Sequence, residues 1–289
     1  MASMRDIKRR KSSIQSTQQI TKAMKLVSTV KLQRAKQNAE KSKDYFSCMY
    51  DTVNSILKRT QNLEHKYLKP GESGKKAVIV ITSNRGLAGG YNSNVIKLIT
   101  RGELAEEDLA IYAIGRKGRE ALQRQYEIKA DYSEVIEEPA YSDAMVICKD
   151  VLDDFAKGEI SEIYLAYTGF KNTVVHIPTL LKLLPVETTE MQDTENKEET
   201  VEDKALMNFE PEDEEALNMI IPKYITSLIY GGMIEAVASE NGARMQAMDS
   251  ATSNAEEMIG SLTLLYNRAR QGSITQELTE IIAGANAIS

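Results

Sequence analysis

Ser83-Asn84-Arg85-Gly86-Leu87-Ala88-Gly89-Gly90-Tyr91-Asn92 is the segment of this 289-residue sequence that comes nearest to a chemical motif. It follows a β-branched run and precedes a helical stretch, where a phosphate-binding loop would sit. Its glycines fall at 86, 89 and 90, which matches neither the dinucleotide fingerprint nor the P-loop. Tight strand–helix packing is the plainer reading of glycines so placed. Gly115-Arg116-Lys117-Gly118 is a similar turn, read the same way. His65 and His176 are the only histidines, Cys48 and Cys148 the only cysteines, and no two of them have the close spacing of metal ligands. Two cysteines make no disulfide framework, and the common nucleophile, zinc-protease and dithiol motifs are absent from the sequence. Adjacent acids such as Asp153-Asp154 read as solvated helix surface. The expectation is therefore no catalytic constellation, no metal and no cofactor.

Composition narrows the class. Hydrophobic residues make up 42 % and charged residues 27 %, with a net charge of −6, ordinary for a globular chain. The aliphatic run Ala77–Ile81 is far too short to span a membrane, and the first residues lack the apolar core of a signal peptide. The charge is unevenly placed. Residues 1–43 carry twelve Lys/Arg against two acids, and residues 187–215 carry thirteen acids against two lysines. Such a basic arm suits nucleic acid, an anionic membrane or an acidic protein surface, or is simply a solvated helix face. The acidic stretch reads as an exposed loop.

The elements fall into three parts. Residues from about 3 to 60 hold no Pro and no Gly, which over such a stretch predicts one helix. Ile7, Ile14, Ile20, Met24 and Val27 recur at helical spacing along it. Lys69-Pro70-Gly71-Glu72-Ser73-Gly74 ends this part. Next, strands at Ala77–Thr82, Ala110–Ile114, Glu162–Tyr167 and Val174–Leu184 alternate with helices to about Arg101, over Lys117–Tyr126 and over Ala144–Lys157. That alternation predicts a mostly parallel sheet. After Pro211, a second long helix runs to the end, with Pro222 expected to kink or restart it. The fold class is α/β: a long antiparallel coiled coil of N- and C-terminal helices plus a small Rossmann-like α/β domain, divided as 1–68, 75–208 and 209–289.

The last helix carries a seam. Met248, Ala251, Ala255, Met258, Leu262, Leu265 and Ala269 alternate by three and four. Extended backwards, the rule puts Arg244 on the apolar line, where a charge needs a partner. At Gly272 the rule fails, and Ile274, Leu278, Ile281, Ala285 and Ile288 begin a new stripe, rotated by about 200°. With Met24 set level with Arg244, the first helix begins near residue 265, so this stripe forms an apolar tip beyond it.

The ends of the chain resemble a known family. Met1-Ala2-Ser3-Met4-Arg5-Asp6-Ile7-Lys8-Arg9-Arg10 and Gln19-Ile20-Thr21-Lys22-Ala23-Met24-Lys25-Leu26-Val27 look like the N-terminus of the gamma subunits of rotary F-type ATP synthases. Ser239-Glu240-Asn241-Gly242-Ala243-Arg244-Met245 and Asn267–Ile281 look like their C-terminus, and Arg85–Asn92 resembles their central Gly-rich turn. The resemblance implies a non-catalytic central-stalk rotor that couples ion flow through a membrane c-ring to ATP synthesis or hydrolysis. Its partners would be three alpha and three beta subunits, an epsilon subunit and the c-ring, with no nucleic acid, and with the membrane reached only through the complex. It would lie on the cytoplasmic side of a bacterial cell membrane. Carried over residue by residue, Met24 and Lys25 face an acidic collar of the beta subunits, and Arg244 stands level with Met24. Arg268, Gln271, Thr275, Glu277 and Glu280 meet the upper sleeve. Ile274, Leu278, Ile281, Ala285 and Ile288 form the axle tip. Phe209 and Glu210 lie at the foot beside the c-ring. Asn84 and Ala88 depart from the Asp and Cys of many relatives, and the paired-cysteine insertion of light-regulated plastid relatives is missing.

Two rival readings stay open on sequence. In one, 75–208 is a nucleotide-binding enzyme domain with the helices as a dimerisation rod. In the other, the basic helix is an adaptor for polyanions. Neither needs an apolar tip.

Overall fold

The computed structural model of the chain describes residues 4–59, 65–71, 74–105, 107–186 and 213–288. The elements are α1 (Met4–Arg59), β1 (Lys76–Ile81), α2 (Tyr91–Thr100), β2 (Leu109–Ile114), α3 (Arg116–Leu122), β3 (Glu127–Asp131), α4 (Tyr141–Ala156), β4 (Glu162–Phe170), β5 (His176–Leu184) and α5 (Asp213–Ile288). They divide into two compact units, one of Met1–Val30 with Arg244–Ser289 and one of Lys31–Ala243. The division cuts both long helices, so each helix contributes to both units.

In Lys31–Ala243 the sheet order is β3-β2-β1-β4-β5. β1 pairs in parallel with β2 and with β4, β2 pairs in parallel with β3, and β4 and β5 form an antiparallel hairpin. β1 is central, and from Ala77 to Ile81 none of its residues is exposed. Its side chains alternate between two cores. Ala77, Ile79 and Ile81 join α4 and the Leu217–Ala236 stretch of α5. Val78 and Val80 join Val95 and Ile99 of α2, with Leu122 of α3. An unbroken apolar run is what burial on both faces requires.

Three expectations change. β3 was not anticipated, because it is an edge strand whose residues alternate between exposed and half-buried. Only Ile128 and Ala130 mark its inner face, which is too short a signal to read. Next, α5 runs through Pro222 without a break. A helix-interior proline costs about 3 kcal/mol. Burying Leu217, Ile221, Ile225 and Ile229 against the sheet contributes about 1.5–3 kcal/mol each, so packing wins. The start of α5 is thus a layer of the α/β core rather than part of a coiled coil.

The seam also shifts. In the other unit, α1 and α5 run antiparallel, with Thr21 meeting Thr252 at 2.8 Å and Lys25 meeting Asp249 at 2.5 Å. The buried line is Ile7, Thr21 and Ser28 against Met248, Thr252 and Ala255. It continues through half-buried Ile259, Leu262, Tyr266 and Ala269. Ile20, Val27, Met258 and Leu265, expected inside, are 60 %, 58 %, 45 % and 51 % exposed. An apolar-only rule passes over threonine. Here each threonine hydroxyl bonds a carbonyl of its own helix, Gln18 O for Thr21 and Met248 O for Thr252. The hydroxyls are therefore satisfied and bury at little cost.

Gly115 opens α3 at φ +109°, and a Cβ there would sit 2.1 Å from the Thr82 carbonyl oxygen. Gly74 faces open space. Gly115→Ala is expected to lower stability by at least about 2 kcal/mol, and Gly74→Ala by far less. Urea unfolding midpoints of the two variants check this.

Candidate functional surfaces

The Gly-rich turn is built from the end of β1 outward. Thr82, Ser83 and Asn84 leave the strand in succession, and each takes one N–H at the start of α3. Thr82 Oγ1 accepts from Gly118 N at 2.8 Å, Ser83 O from Lys117 N at 3.1 Å, and Asn84 Oδ1 from Arg116 N at 2.9 Å. The other end of Asn84, Nδ2, donates to Ser133 O at 2.7 Å. Ser83 is fixed to α2 as well: its N–H donates to Asn92 Oδ1 at 2.9 Å, and Asn92 Nδ2 donates to its hydroxyl at 2.8 Å. At the mouth of α2, Tyr91 N donates to Ala88 O and Asn94 N to Gly90 O.

A phosphate is held by unsatisfied N–H groups at a helix start. The first three N–H groups of α3 are already taken by the chain itself, so the turn works as a clamp between β1, α2 and α3. Sequence reasoning singled out the turn but not this clamp. The visible signal was three polar residues, Thr-Ser-Asn, ending an apolar strand. Asn84 uses both ends of its amide, a double role that an aspartate could not fill.

No cluster of His, Cys, Asp and Glu suited to a metal ion occurs among the described residues. Cys148 is buried, its thiol pushed up to about 11 by loss of solvent, and it donates to Pro222 O at 3.5 Å. Cys48 is exposed.

The paired helices carry the other candidate residues. Met24 is half-buried. Lys25 spends its ammonium on Asp249, with both side chains well exposed, so the pair contributes about 0.2–1 kcal/mol. Arg244 is half-buried, and the structure pairs Lys25 with Asp249 rather than setting Met24 level with Arg244. The Thr21–Thr252 and Lys25–Asp249 contacts place Met4 level with about residue 269, beyond the 265 expected. Arg268, Gln271, Thr275, Glu277 and Glu280 are exposed. Thr275 Oγ1 donates to Gln271 O, and Glu280 accepts from Gln276 Nε2. Beyond the end of α1, Ile274, Leu278 and Ile281 are 49 %, 54 % and 67 % exposed, joined by Ile282; Ala285 is exposed too. The Ile288 side chain, Phe209 and Glu210 lie outside the described residues. Sequence reasoning missed Asp249 and the polar Thr21–Thr252 layer. It also missed an outward apolar line on α1, Ile20, Val27 and Val30, which stands beside Lys22 and Lys31.

The family described as ATP synthase matches residues 3–288. The ATP synthase gamma chain of Lachnoclostridium phytofermentans is 66 % identical, with all of both chains covered. This chain belongs to the ATP synthase gamma-chain family. The sodium-ion-specific ATP synthase gamma chain of Acetobacterium woodii is 41 % identical over 99 % of each chain. Among solved structures, a chain of the Euglena gracilis mitochondrial ATP synthase F1/c-ring matches with a TM-score of 0.68 at 16 % identity, covering 99 % of this chain and 94 % of that one. A chain of the Tetrahymena thermophila central stalk and c-ring matches with a TM-score of 0.58 at 22 % identity, covering 80 % and 99 %. These distant matches establish the shared fold. Among the described residues no helix is long and apolar enough to cross a membrane.

Thr82→Val removes the acceptor of Gly118 N and the hydroxyl's own bond to Gly115 O. It is expected to cost about 1–3 kcal/mol, read by thermal or urea unfolding. In the native chain, a thiol reagent at pH 8 is expected to modify Cys48 and leave Cys148 unmodified until the chain unfolds. Peptide mapping after brief labelling checks this.

Proposed function

We propose that this gamma chain is the rotor of an F-type ATP synthase. In this reading the paired helices turn inside a ring of three alpha and three beta subunits. The α/β unit contacts an epsilon subunit and the membrane c-ring, with the foot at Phe209 and Glu210. The complex is peripheral to a bacterial cell membrane on its cytoplasmic side, and ion flow through the c-ring drives the turn. The observation that carries the reading is the end of α5, which outruns α1 and shows an apolar stripe to solvent. Fully burying such side chains stabilises an assembly by about 1.5–3 kcal/mol each. Apolar contact is non-directional, so a tip held this way resists turning less than one held by hydrogen bonds.

The ring subunits carry nucleotide binding and hydrolysis, and this chain supplies shape. An asymmetric shaft offers a different face to each beta subunit, and the face in contact favours one conformation and its nucleotide affinity. Arg268, Gln271, Thr275, Glu277 and Glu280 are the contacts assigned to the sleeve around the tip. Met24, Lys25 and Arg244 are assigned to the acidic collar lower down. The basic arm of α1 suits such a collar. The outward line of Ile20, Val27 and Val30 adds apolar contact there. At the start of α3 the clamp takes the first three N–H groups, and at the start of α2 those of Tyr91 and Asn94 are taken, which argues against the enzyme reading.

The test mixes the purified chain with ATPase alpha and beta subunits and measures native mass and ATP hydrolysis. The expected result is one copy per six-subunit ring, with hydrolysis dependent on the chain. Truncation after Arg268 is expected to weaken hydrolysis while leaving the α/β unit folded. A chain that stays apart from the ring overturns the reading.

A further inference from the structure

The turn end of the β4–β5 hairpin leans on α5 through three contacts, all within Lys31–Ala243. Ser239 Oγ donates to Thr168 O at 3.0 Å. Phe170 N donates to Glu235 Oε2 at 3.3 Å. The third contact is steric: His176, the register partner of Phe170, lays its ring over the backbone of α5 at Gly242. A Cβ on Gly242 would sit 2.6 Å from His176 Nε2. That nitrogen is buried and has no hydrogen-bond partner among the described residues. Any side chain at position 242 would evict the imidazole, so glycine and histidine fit as a pair.

We propose that His176 is a proton-operated latch, holding the hairpin on α5 while neutral and releasing it when protonated. The neutral ring tolerates an unpartnered Nε2 at modest cost, because a lone pair without a donor forfeits one hydrogen bond. Protonation puts an N–H and a positive charge in the same buried place, facing helix backbone whose carbonyls serve the helix. Among the described residues no acidic group is in hydrogen-bond contact with His176 Nε2. On α5, Glu235 is engaged with Phe170 N, and Glu240 stands two residues from Gly242, about 200° round the helix. On α1, Lys36 sits over the Phe170 ring, 5.2 Å from its centroid. On β4, Tyr167 is a phenol pushed up to about 12 by burial. Lys171, in the turn, is exposed.

The signs follow from burial. His176 is lowered from its ordinary 6.5 by loss of solvent. The docking it supports is therefore complete above 6.5 and is lost as pH falls through the lowered value. Glu235 is raised, chiefly by burial, so its protonation at low pH relieves the site and works in the opposite sense. The turn moves as a block, since Asn172 Oδ1 accepts from both Val174 N and Val175 N. Release therefore repositions exposed Val174, Val175 and Ile177 together.

The Phe170 amide is a direct reporter, because its acceptor lies on α5. Hydrogen exchange of the full chain is measured from pH 8 to 5.5, corrected for intrinsic rates, with the β1 amides as internal reference. Protection of Phe170 is expected to fall by up to about tenfold per pH unit below 6.5, with β1 unchanged. His176→Gln is expected to abolish this dependence and Glu235→Gln to keep it. Gly242→Ala is expected to give low protection already at pH 8. Protection of Phe170 that does not vary with pH overturns the proposal, as does a dependence that survives in His176→Gln or vanishes in Glu235→Gln. Should His176→Gln fail to fold, the wild-type ring is titrated by NMR. A midpoint at or above 6.5 overturns the latch, and a lower one that the Phe170 amide follows supports it.

Discussion

β1 is buried on both faces, and every layer of Lys31–Ala243 is placed by reference to it. Its odd-numbered side chains belong to one core and its even-numbered ones to the other. A strand in this position has no polar face to lose, so it must be covered twice, by α2 and α3 on one side and by α4 and α5 on the other. The clamp at its end follows from the same constraint. Where the apolar run stops, Thr82, Ser83 and Asn84 turn their polar atoms onto the start of α3. The start of the Gly-rich turn is thereby tied to α3.

α5 serves two environments with one continuous helix. Its first part is a packing layer, with Leu217, Ile221, Ile225 and Ile229 fully buried. Its last turns are exposed and apolar. Between them it pairs with α1 through a seam that is small and partly hydroxylic. Thr21 and Thr252 have two hydroxyl protons for three contacts, so one proton is shared between a carbonyl and the facing hydroxyl. Such a layer contributes less adhesion than leucine would, but it favours one register, because a slip leaves two hydroxyls facing apolar groups. A shaft that must present defined faces gains more from register than from adhesion.

Much of this was legible. The two long helices, four of the five strands and the exposed apolar line of Ile274, Leu278 and Ile281 all came from proline and glycine placement and from periodicity. The seam was half right. Met248, Ala255, Leu262 and Ala269 belong to both the expected and the observed lines, since two stripes on one helix can share every second member. The other members moved by one residue, because threonine was discounted and methionine and leucine were not. On α1 the expected Ile20 and Val27 point outward for the same reason: the apolar residues there outnumber the inward positions.

The sequence by itself determined the two long helices, four of the five strands, and the apolar stripe along the last turns of α5. These rest on local chemistry: β-branched runs, the absence of helix breakers and spacing by three and four. The tertiary structure decided the register of α1 on α5, the passage of α5 through Pro222, the edge strand β3, and the clamp that ties the end of β1 to α3. It also set His176 over Gly242. Each of these depends on a contact between residues far apart in the chain, and neither partner carries a local signal of the other.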